Sequence, residues 1–479
     1  MVTIGALAAL VLIRARDALG ISVSLDVPGW VVLVFVFMAP ASVLGLAWGM
    51  VLRAARRLER SGSPALVRGA QRWVAGARAL IIGIHVAAIF VLGWTELVRR
   101  FIGNLPLLDE LVIAAPALFA LVGTVAIWHP IELRIREAGV LAQLDRGGAI
   151  YPPPALGQHV EYAVRYHVGT LAAPLCLLIA SSECVSWLGA WASGPAGSAL
   201  PGWVREPSTL AWMVPLGQVI AALVALTFAP VLIRWVWDAP SLPHDSLRSE
   251  LESVLSAHGT AVRDIVVWRT GGTIANAAVV GVFPTLRYLA VTDGMLDALD
   301  ARELEAVTAH EVAHLRKRHV PWLAGSTLTA VLVAGGASGV GLGLLGVSHE
   351  AALVSASIVT VAVALFCIGA VSRRFEWQAD AFAASHLSGN SERLSEDGVA
   401  TMSGALDRVA ALNHTDPSRF DWRHGSIRER KQRLSASVGQ HLDKLSQDRA
   451  VRRLLVGVVI LAPIGVALTL LEAWLAGRS

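Results

Sequence analysis

Eight long runs of apolar residues limit what this chain can fold into. Each run approaches the ~20 residues that an α-helix needs to cross a bilayer. The runs cover residues 29–52, 79–98, 111–128, 168–192, 209–236, 322–347, 351–371 and 454–475. Hydrophobic residues make up 55% of the chain, which is typical of a polytopic membrane protein. The sequence therefore predicts a polytopic α-helical membrane protein with eight membrane-spanning helices, or nine if the short apolar run at residues 1–13 also crosses the bilayer.

Arginine placement predicts how these helices are oriented. Residues 53–78 are predicted to be a loop that holds seven arginines, the strongest basic cluster beside any apolar run, so we expect it to be cytoplasmic. Alternation along the chain then places residues 237–321 and 372–453 in the cytoplasm and residues 193–208 outside. Because the basic residues cluster beside apolar runs, we interpret the net charge of +4 as membrane topology and expect a lipid bilayer, not nucleic acid, as the partner. The bias towards arginine is typical of a GC-rich bacterial genome, so we expect a bacterial inner (plasma) membrane.

A few polar residues interrupt the predicted spans. His85, Glu96 and Glu183 share no zinc-binding spacing, so we expect them to pair with other helices rather than to form a site. Arg99 and Arg100 fall on the outer side of the membrane, against the positive-inside rule.

The alternation of apolar and polar segments predicts five regions along the chain. They are an N-terminal membrane region at 1–236, a first polar part at 237–321, a membrane hairpin at 322–371, a second polar part at 372–453, and a C-terminal membrane helix at 454–479.

The first polar part contains the pattern His-Glu-x-x-His as His310, Glu311 and His314. On a helix the two histidines lie one turn apart on the same face, where both imidazoles can bind one Zn²⁺ ion at about 2.0–2.1 Å. Glu311 is close enough to act as general base on a metal-activated water without being a ligand. The pattern predicts the catalytic centre of a zinc hydrolase.

The residues around this pattern favour a helix. Asp300 is a candidate N-cap with Glu303 three residues later, a capping-box spacing, so we expect the helix to begin near residue 301. Leu304, Val312 and Leu315 form its apolar stripe. The alternative is an ordinary amphipathic helix with two surface histidines, which this segment alone does not exclude.

A catalytic zinc needs a third protein ligand and an open position. His319 is near, but the metzincin pattern requires glycine where Lys317 stands and histidine where Val320 stands, so we do not expect His319 to be a ligand. Glu376 and Asp380 are four residues apart and share a helical face, so Glu376 can bind zinc while Asp380 holds a ligand histidine by its other ring nitrogen. Taken alone, that segment also fits a charged helix start at the membrane surface.

The polar segment before the zinc helix is predicted to be a small α+β unit. Residues 246–257 read as an amphipathic helix, and residues 264–269 and 286–292 as strands rich in β-branched side chains. Residues 276–281 lie between turn residues and form a candidate edge strand. In a protease, an extended peptide can add to such an edge as a further strand. The alternative is a plain sheet that only supports the helix.

His-Glu-x-x-His, a hydrophobic hairpin and Glu-x-x-Ala-Asp in this order resemble the membrane zinc metallopeptidases that include the CaaX prenyl endopeptidases and the HtpX heat-shock proteases. Asn276 and Ala277 resemble that family's edge-strand element, which implies substrate-binding roles. The resemblance covers about residues 264–434 and implies a cytoplasmic, zincin-like α+β domain of gluzincin type. It also implies one Zn²⁺ per chain, held by two histidines and a glutamate.

The resemblance extends to a later motif. His424 and Arg430 match in spacing the family's His-Pro-x-x-x-x-Arg element, whose histidine and arginine are expected to stabilise the tetrahedral intermediate. Gly425 replaces the usual proline and Lys431 replaces the usual isoleucine. The resemblance therefore implies catalytic roles for His424 and Arg430 beside Glu311.

These features predict a membrane-embedded zinc endopeptidase that acts on peptides or membrane proteins, in quality control or processing. An intramembrane site-two-type protease is disfavoured, because the zinc helix carries several charged residues that a bilayer core does not accommodate. The remaining alternative is a membrane sensor or transporter with a structural zinc, in which Glu311 has no role.

Overall fold

The computed structural model describes residues 10–14, 16–17, 27–105, 107–144, 153–272, 274–347, 349–413 and 415–476. Within these residues, eight helices are long and apolar enough to cross a membrane. They correspond one to one to the eight predicted apolar runs, which confirms the polytopic α-helical fold. Most of the short run at residues 1–13 lies outside the described residues. The chain divides into two compact units, Met1–Ala239 with Gly281–Leu286, and Pro240–Val280 with Arg287–Ser479.

The described part of the first unit consists of helices joined by loops and turns. Its α-helices are α1 (Gly29–Ser61), α2 (Pro64–Phe90), α3 (Trp94–Ile102), α4 (Leu108–Leu144), α5 (Leu156–Ala163), α6 (Thr170–Ser193), α7 (Gly202–Arg205) and α8 (Pro207–Val236). Residues 10–14, 16 and 17 are also helical. A π-helical turn, Val164–Gly169, leads into α6, and a 3₁₀ turn, Pro195–Ala199, follows it.

The basic segment 53–78 is not the loop that its charge suggests. It is formed by the end of α1 and the start of α2, because its alanine, arginine and leucine residues are good helix formers. Gly62 (φ 61°) ends α1, and Pro64 occupies the first turn of α2, where its missing N–H is not needed. The second apolar helix consequently ends at Phe90, earlier than residue 98.

Charged residues of the first unit are paired across helices, as predicted. Glu183 Oε1 lies 2.5 Å from Arg14 Nη2, and Glu96 contacts Arg16. Arg99 contacts two carboxylates, those of Asp17 at 2.7 Å and Asp109 at 2.6 Å. Arg99 is therefore engaged in packing between helices, which accounts for its departure from the arginine rule.

The second unit combines a small sheet with helices. Its elements are α9 (Ser246–Ala257), β1 (Asp264–Trp268), β2 (Ala277–Val280), β3 (Tyr288–Thr292), α10 (Asp293–Ala298), α11 (Ala301–Arg316), α12 (His319–Leu344), α13 (His349–Leu387), α14 (Glu396–Leu412), α15 (Ile427–Ser435) and α16 (Ser446–Ala476).

The sheet confirms the predicted strands and places the candidate edge strand at an edge. Its order is β1-β3-β2, with β1 parallel and β2 antiparallel to β3. α11 buries Leu304 and Val312 in one apolar cluster with Leu289 and Val291 of β3. This packing fixes α11 against the sheet, with its His-Glu-x-x-His face left for other contacts.

The helix formed by the second apolar run of the hairpin does not end at residue 371, where that run was predicted to leave the membrane. α13 continues as one helix from residue 349 through Glu376 and Asp380 to residue 387. The membrane helix and the Glu-x-x-Ala-Asp motif are therefore one rigid element, and the position of the motif depends on how that helix packs.

Candidate metal centre

The helix that carries the two histidines begins as predicted. The Asp300 side chain accepts a hydrogen bond from the Glu303 backbone N–H at 2.8 Å, and the Glu303 side chain accepts one from the Asp300 N–H at 3.1 Å. This capping box satisfies two backbone donors at the N-terminus of α11. The helix then continues without interruption to Arg316, which places His310 and His314 on one face.

Three side chains converge to form a candidate metal centre. His310, His314 and Glu376 each offer a donor atom, and these atoms all lie within 4.8 Å of one another. The two Nε2 atoms are 3.3 Å apart, and the Glu376 carboxylate lies 3.6 Å from His310 Nε2 and 3.9 Å from His314 Nε2. Two nitrogens each about 2.05 Å from a tetrahedral zinc ion are about 3.3 Å apart. The donor set and its spacing fit zinc.

Each histidine is held by a neighbour on its other ring nitrogen. Asp380 Oδ1 lies 3.0 Å from His310 Nδ1, and His319 Nδ1 lies 2.9 Å from His314 Nδ1. Both Nε2 atoms consequently face the shared space beside Glu376. Contacts on the second nitrogen are the usual way in which ligand histidines are oriented.

The local electrostatics favour a positive charge at this position. Burial lowers the pKa of His310, but contacts with Asp380 and Glu376 outweigh it and raise the value to about 10. Burial and the neighbouring His310 lower the pKa of His314 to about 3, which keeps that imidazole neutral. A metal ion can supply the positive charge in place of the proton on His310.

Glu311 lies beside the three donors without belonging to their group. Its Oε2 accepts a hydrogen bond from the Val279 N–H of β2 at 3.3 Å. Burial, with the nearby negative charge of Glu376, raises the pKa of Glu311 to about 7. A carboxylate with a pKa near neutrality is suited to accept and return a proton.

Arg430 joins the two carboxylates of α13. Its Nε and Nη2 donate to Asp380 at 2.8 and 2.6 Å, and its Nη1 lies 3.3 Å from Glu376 Oε2. The guanidinium is buried, but the two carboxylates outweigh that burial and raise its pKa. In this arrangement Arg430 positions the acids. It contacts them directly, and the role at the reaction intermediate that the resemblance implies for Arg430 stays a prediction.

His424 lies at the rim of the same site. Its Nδ1 is 3.0 Å from Glu376 Oε1, and about half of its side chain is exposed. The turn that carries it is closed by Asp421, whose backbone bonds to Gly425 in both directions. Gly425 has a φ of 74°, which the ring of proline forbids, so this turn is built differently from one with the usual proline.

The outer edge of β2 faces α11. Thr292 N–H donates to Asn276 O at 3.0 Å, so the Asn276 backbone faces β3, whereas the Val279 N–H faces Glu311. Because backbone groups alternate along a strand, those of Ala277 point to the same side as those of Val279. Asn413 fixes the chain before β2 through both backbone groups of Ala275, at 2.9 and 2.7 Å.

Sequence reasoning missed part of this constellation. Gln378 contacts His319, and Asn413 contacts the chain just before the edge strand, yet neither residue lies at a spacing from α11 that a sequence pattern reveals. His319 was expected not to be a ligand, and the structure places it behind His314 rather than among the donors.

Comparisons with known proteins point to one family. Residues 241–431 match peptidase family M48. The "Protease HtpX homolog" of Pyrobaculum calidifontis is 33% identical over 183 residues, which cover 36% of this chain and 52% of that protein. "Protease HtpX" of Legionella pneumophila is 29% identical over 222 residues, covering 42% of this chain and 74% of that protein. The chain thus spans about half the length of the first of these relatives.

A solved structure gives a more distant likeness. The crystal structure of S. mikatae Ste24p aligns with a TM-score of 0.37 and 16% identity, over 84% of this chain and 98% of that one. The family match includes both histidines of α11 and Glu376 of α13. Residues 241–431 therefore resemble a peptidase family M48 domain, and the chain that carries them is similar to the HtpX proteases.

Proposed function

We propose that this protein is a membrane-embedded zinc endopeptidase. The observation that carries the proposal is the convergence of His310, His314 and Glu376 with Glu311 beside them, all within reach of a sheet edge. One Zn²⁺ ion per chain would be held by the two imidazoles and the Glu376 carboxylate. When bound there, zinc supplies Lewis-acid polarisation of a carbonyl and activation of a water molecule.

The residues of the chain then have distinct roles. Glu311 accepts a proton from the attacking water and returns it to the leaving amine, which its pKa of about 7 favours. Asp380 holds His310, and Arg430 holds the Asp380 and Glu376 carboxylates in place. His424, at the exposed rim, donates to the oxyanion that develops on the substrate carbonyl.

The substrate is an extended peptide that adds to the edge of β2. The backbone of Ala277, which points outward, supplies hydrogen bonds to the peptide, and Asn276, just before the strand, also contributes to binding it. Bound in this way, the peptide runs beside Glu311, since the Val279 N–H on the same edge contacts that carboxylate. Residues 237–321 and 372–453 together form the catalytic part.

We place this catalytic part at the cytoplasmic face of a bacterial inner membrane, with processing or quality control of membrane proteins as its task. The arginines at the adjoining ends of α1 and α2 support the orientation. The competing role, a sensor or transporter with a structural zinc, predicts that the protein binds zinc but hydrolyses no peptide. Zinc content measured together with peptidase activity separates the two.

Replacing His424 with alanine is expected to lower kcat by about 10²–10³-fold, because one donor to the oxyanion is lost. Zinc content should be unchanged, since the three donor side chains remain. The measurement is hydrolysis of a labelled peptide by the purified protein, with zinc determined by elemental analysis. The matched control is His441→Ala, which replaces a half-exposed histidine that contacts Glu392 and Asp443 and should leave both quantities unaltered. Loss of zinc from His424→Ala would assign that histidine to the metal instead.

The orientation is testable with reporter domains. A reporter introduced after Gly259 or Gly389, which follow α9 and α13, should be active only in the cytoplasm. A reporter near Gly197, between α6 and α8, should be active only outside the membrane. The reverse pattern would place the catalytic part on the far side of the membrane and overturn the argument from arginines.

A further inference from the structure

A continuous chain of polar contacts runs from the metal centre to the last membrane helix. His314 Nδ1 lies 2.9 Å from His319 Nδ1, and His319 Nε2 lies 2.9 Å from Gln378 Oε1. The Gln378 side-chain amide donates to Asp448 at the start of α16, which also accepts from Lys317 Nζ at 3.0 Å. His319 and Gln378 are buried, so water does not replace these contacts. Four elements, α11, α12, α13 and α16, therefore meet along one line.

The direction of each hydrogen bond in this series of contacts follows from the Asp448 carboxylate at its end. An ionised carboxylate only accepts, so the Gln378 amide must turn its NH₂ group towards Asp448 and its oxygen towards His319. The oxygen accepts from His319 Nε2, which must carry the proton. In a neutral imidazole the other nitrogen, Nδ1, then has the free lone pair.

The tautomer of His319 in turn determines that of His314. His319 Nδ1 accepts from His314, so the proton of His314 is on Nδ1 and the lone pair is on Nε2, the atom that faces His310 Nε2 and Glu376. The opposite direction would place a proton on His314 Nε2, and that tautomer cannot bind a metal. The His319 ring is also held flat against Phe375, with centroids 4.3 Å apart and an angle of 2°.

We propose that His319, directed by Gln378 and Asp448, is a positioning residue that sets the tautomer and ring orientation of His314. The inference rests on the proposed metal site. The two histidines are then held by different means: His310 contacts a carboxylate directly, whereas His314 is reached through a neutral histidine and an amide. Because Asp448 belongs to α16, the base of the C-terminal membrane helix takes part in aligning one metal ligand.

The test compares zinc affinity among variants of the full-length protein in detergent, measured by competition with a chromogenic chelator. His319→Phe keeps a flat ring against Phe375 but removes the acceptor for His314, and its zinc affinity should fall by about 10–100-fold. At saturating zinc it should still bind as much metal as the wild type, because the three donors remain. His319→Asn places an oxygen near the position of Nδ1, so its affinity should be closer to wild type than to His319→Phe.

Two further variants separate positioning from packing. Gln378→Leu removes the hydrogen bond between Gln378 and His319, one contact farther from the metal. It should also weaken zinc binding, while His319 keeps its ring contact with Phe375. Phe375→Leu removes the stacking but no hydrogen bond, and should retain nearly the wild-type affinity. The inference is overturned if His319→Phe binds zinc as tightly as the wild type, if His319→Asn is as weak as His319→Phe, or if Phe375→Leu weakens binding equally. Failure of the wild-type protein to bind zinc would instead reject the proposed function itself.

Discussion

Peptide hydrolysis by a Glu311→Gln variant is expected to be about 10²–10⁴-fold slower than that of the wild type, with zinc still bound. The amide is nearly the same size as the carboxylate but cannot accept the proton of the attacking water. Its oxygen can still accept from the Val279 N–H, so the sheet edge keeps its contact with α11. The metal donors His310, His314 and Glu376 are untouched. The effect should therefore appear in kcat, with zinc content and thermal stability unaltered.

The control for this experiment lies on the same helix. Glu305→Gln changes a half-exposed carboxylate that contacts His386, away from the metal centre, and should leave hydrolysis close to wild type. Near-normal activity in Glu311→Gln would reject Glu311 as the general base. An inactive variant that still binds peptide has a second use, since substrates that remain bound to it in membranes can be isolated and identified.

The second large effect is expected for Glu376→Ala, which should lose zinc together with activity. Two imidazoles alone do not hold zinc tightly, because a catalytic site requires three protein ligands. His319 lies behind His314 and is not positioned to replace the missing carboxylate. The zinc content of the purified variant, measured after removal of loosely bound metal, checks this result.

Comparison with Asp380→Ala distinguishes a ligand from its support. Asp380 contacts His310 and Arg430 but does not belong to the group of converging donors, so its loss should weaken zinc affinity by about 10–100-fold without changing the number of ligands. Because Asp380 is the bidentate partner of the buried Arg430, thermal unfolding must be measured in parallel. Full zinc content in Glu376→Ala, with zinc lost from His319→Ala, would show that the ligand set is assigned wrongly.

Local features of the fold were predictable because they depend on neighbouring residues. The apolar runs gave the eight long helices, and the boundaries of α9 agree with residues 246–257. The Asp300–Glu303 spacing gave the capping box of α11. The loop predicted at residues 53–78 from their charge was wrong, because helix-forming residues extend α1 and α2 through most of this segment.

The residues of the candidate metal centre were predictable, but the contacts between them were not. His310 and His314 share a helical face because they are four residues apart, and Glu376 and Asp380 do so for the same reason. Motif order suggested that the two pairs meet, and the catalytic role that the resemblance implies for Arg430 stays a prediction. The structure shows Arg430 bound to Asp380 and Glu376, a contact that depends on where α15 packs against α13.

What the sequence by itself determined is therefore the eight long apolar helices, α9, the three strands, the spacing of His310 and His314, and the glutamate that follows His310. Only the tertiary structure decided that Val279 contacts Glu311 and that His319 reaches Gln378 and Asp448. The physical reason is the distance along the sequence between the residues in contact. Hydrogen-bond geometry within a single helix is fixed by residue spacing, whereas contacts between α11, α12, α13 and α16 exist only once apolar packing has set the distances between those elements.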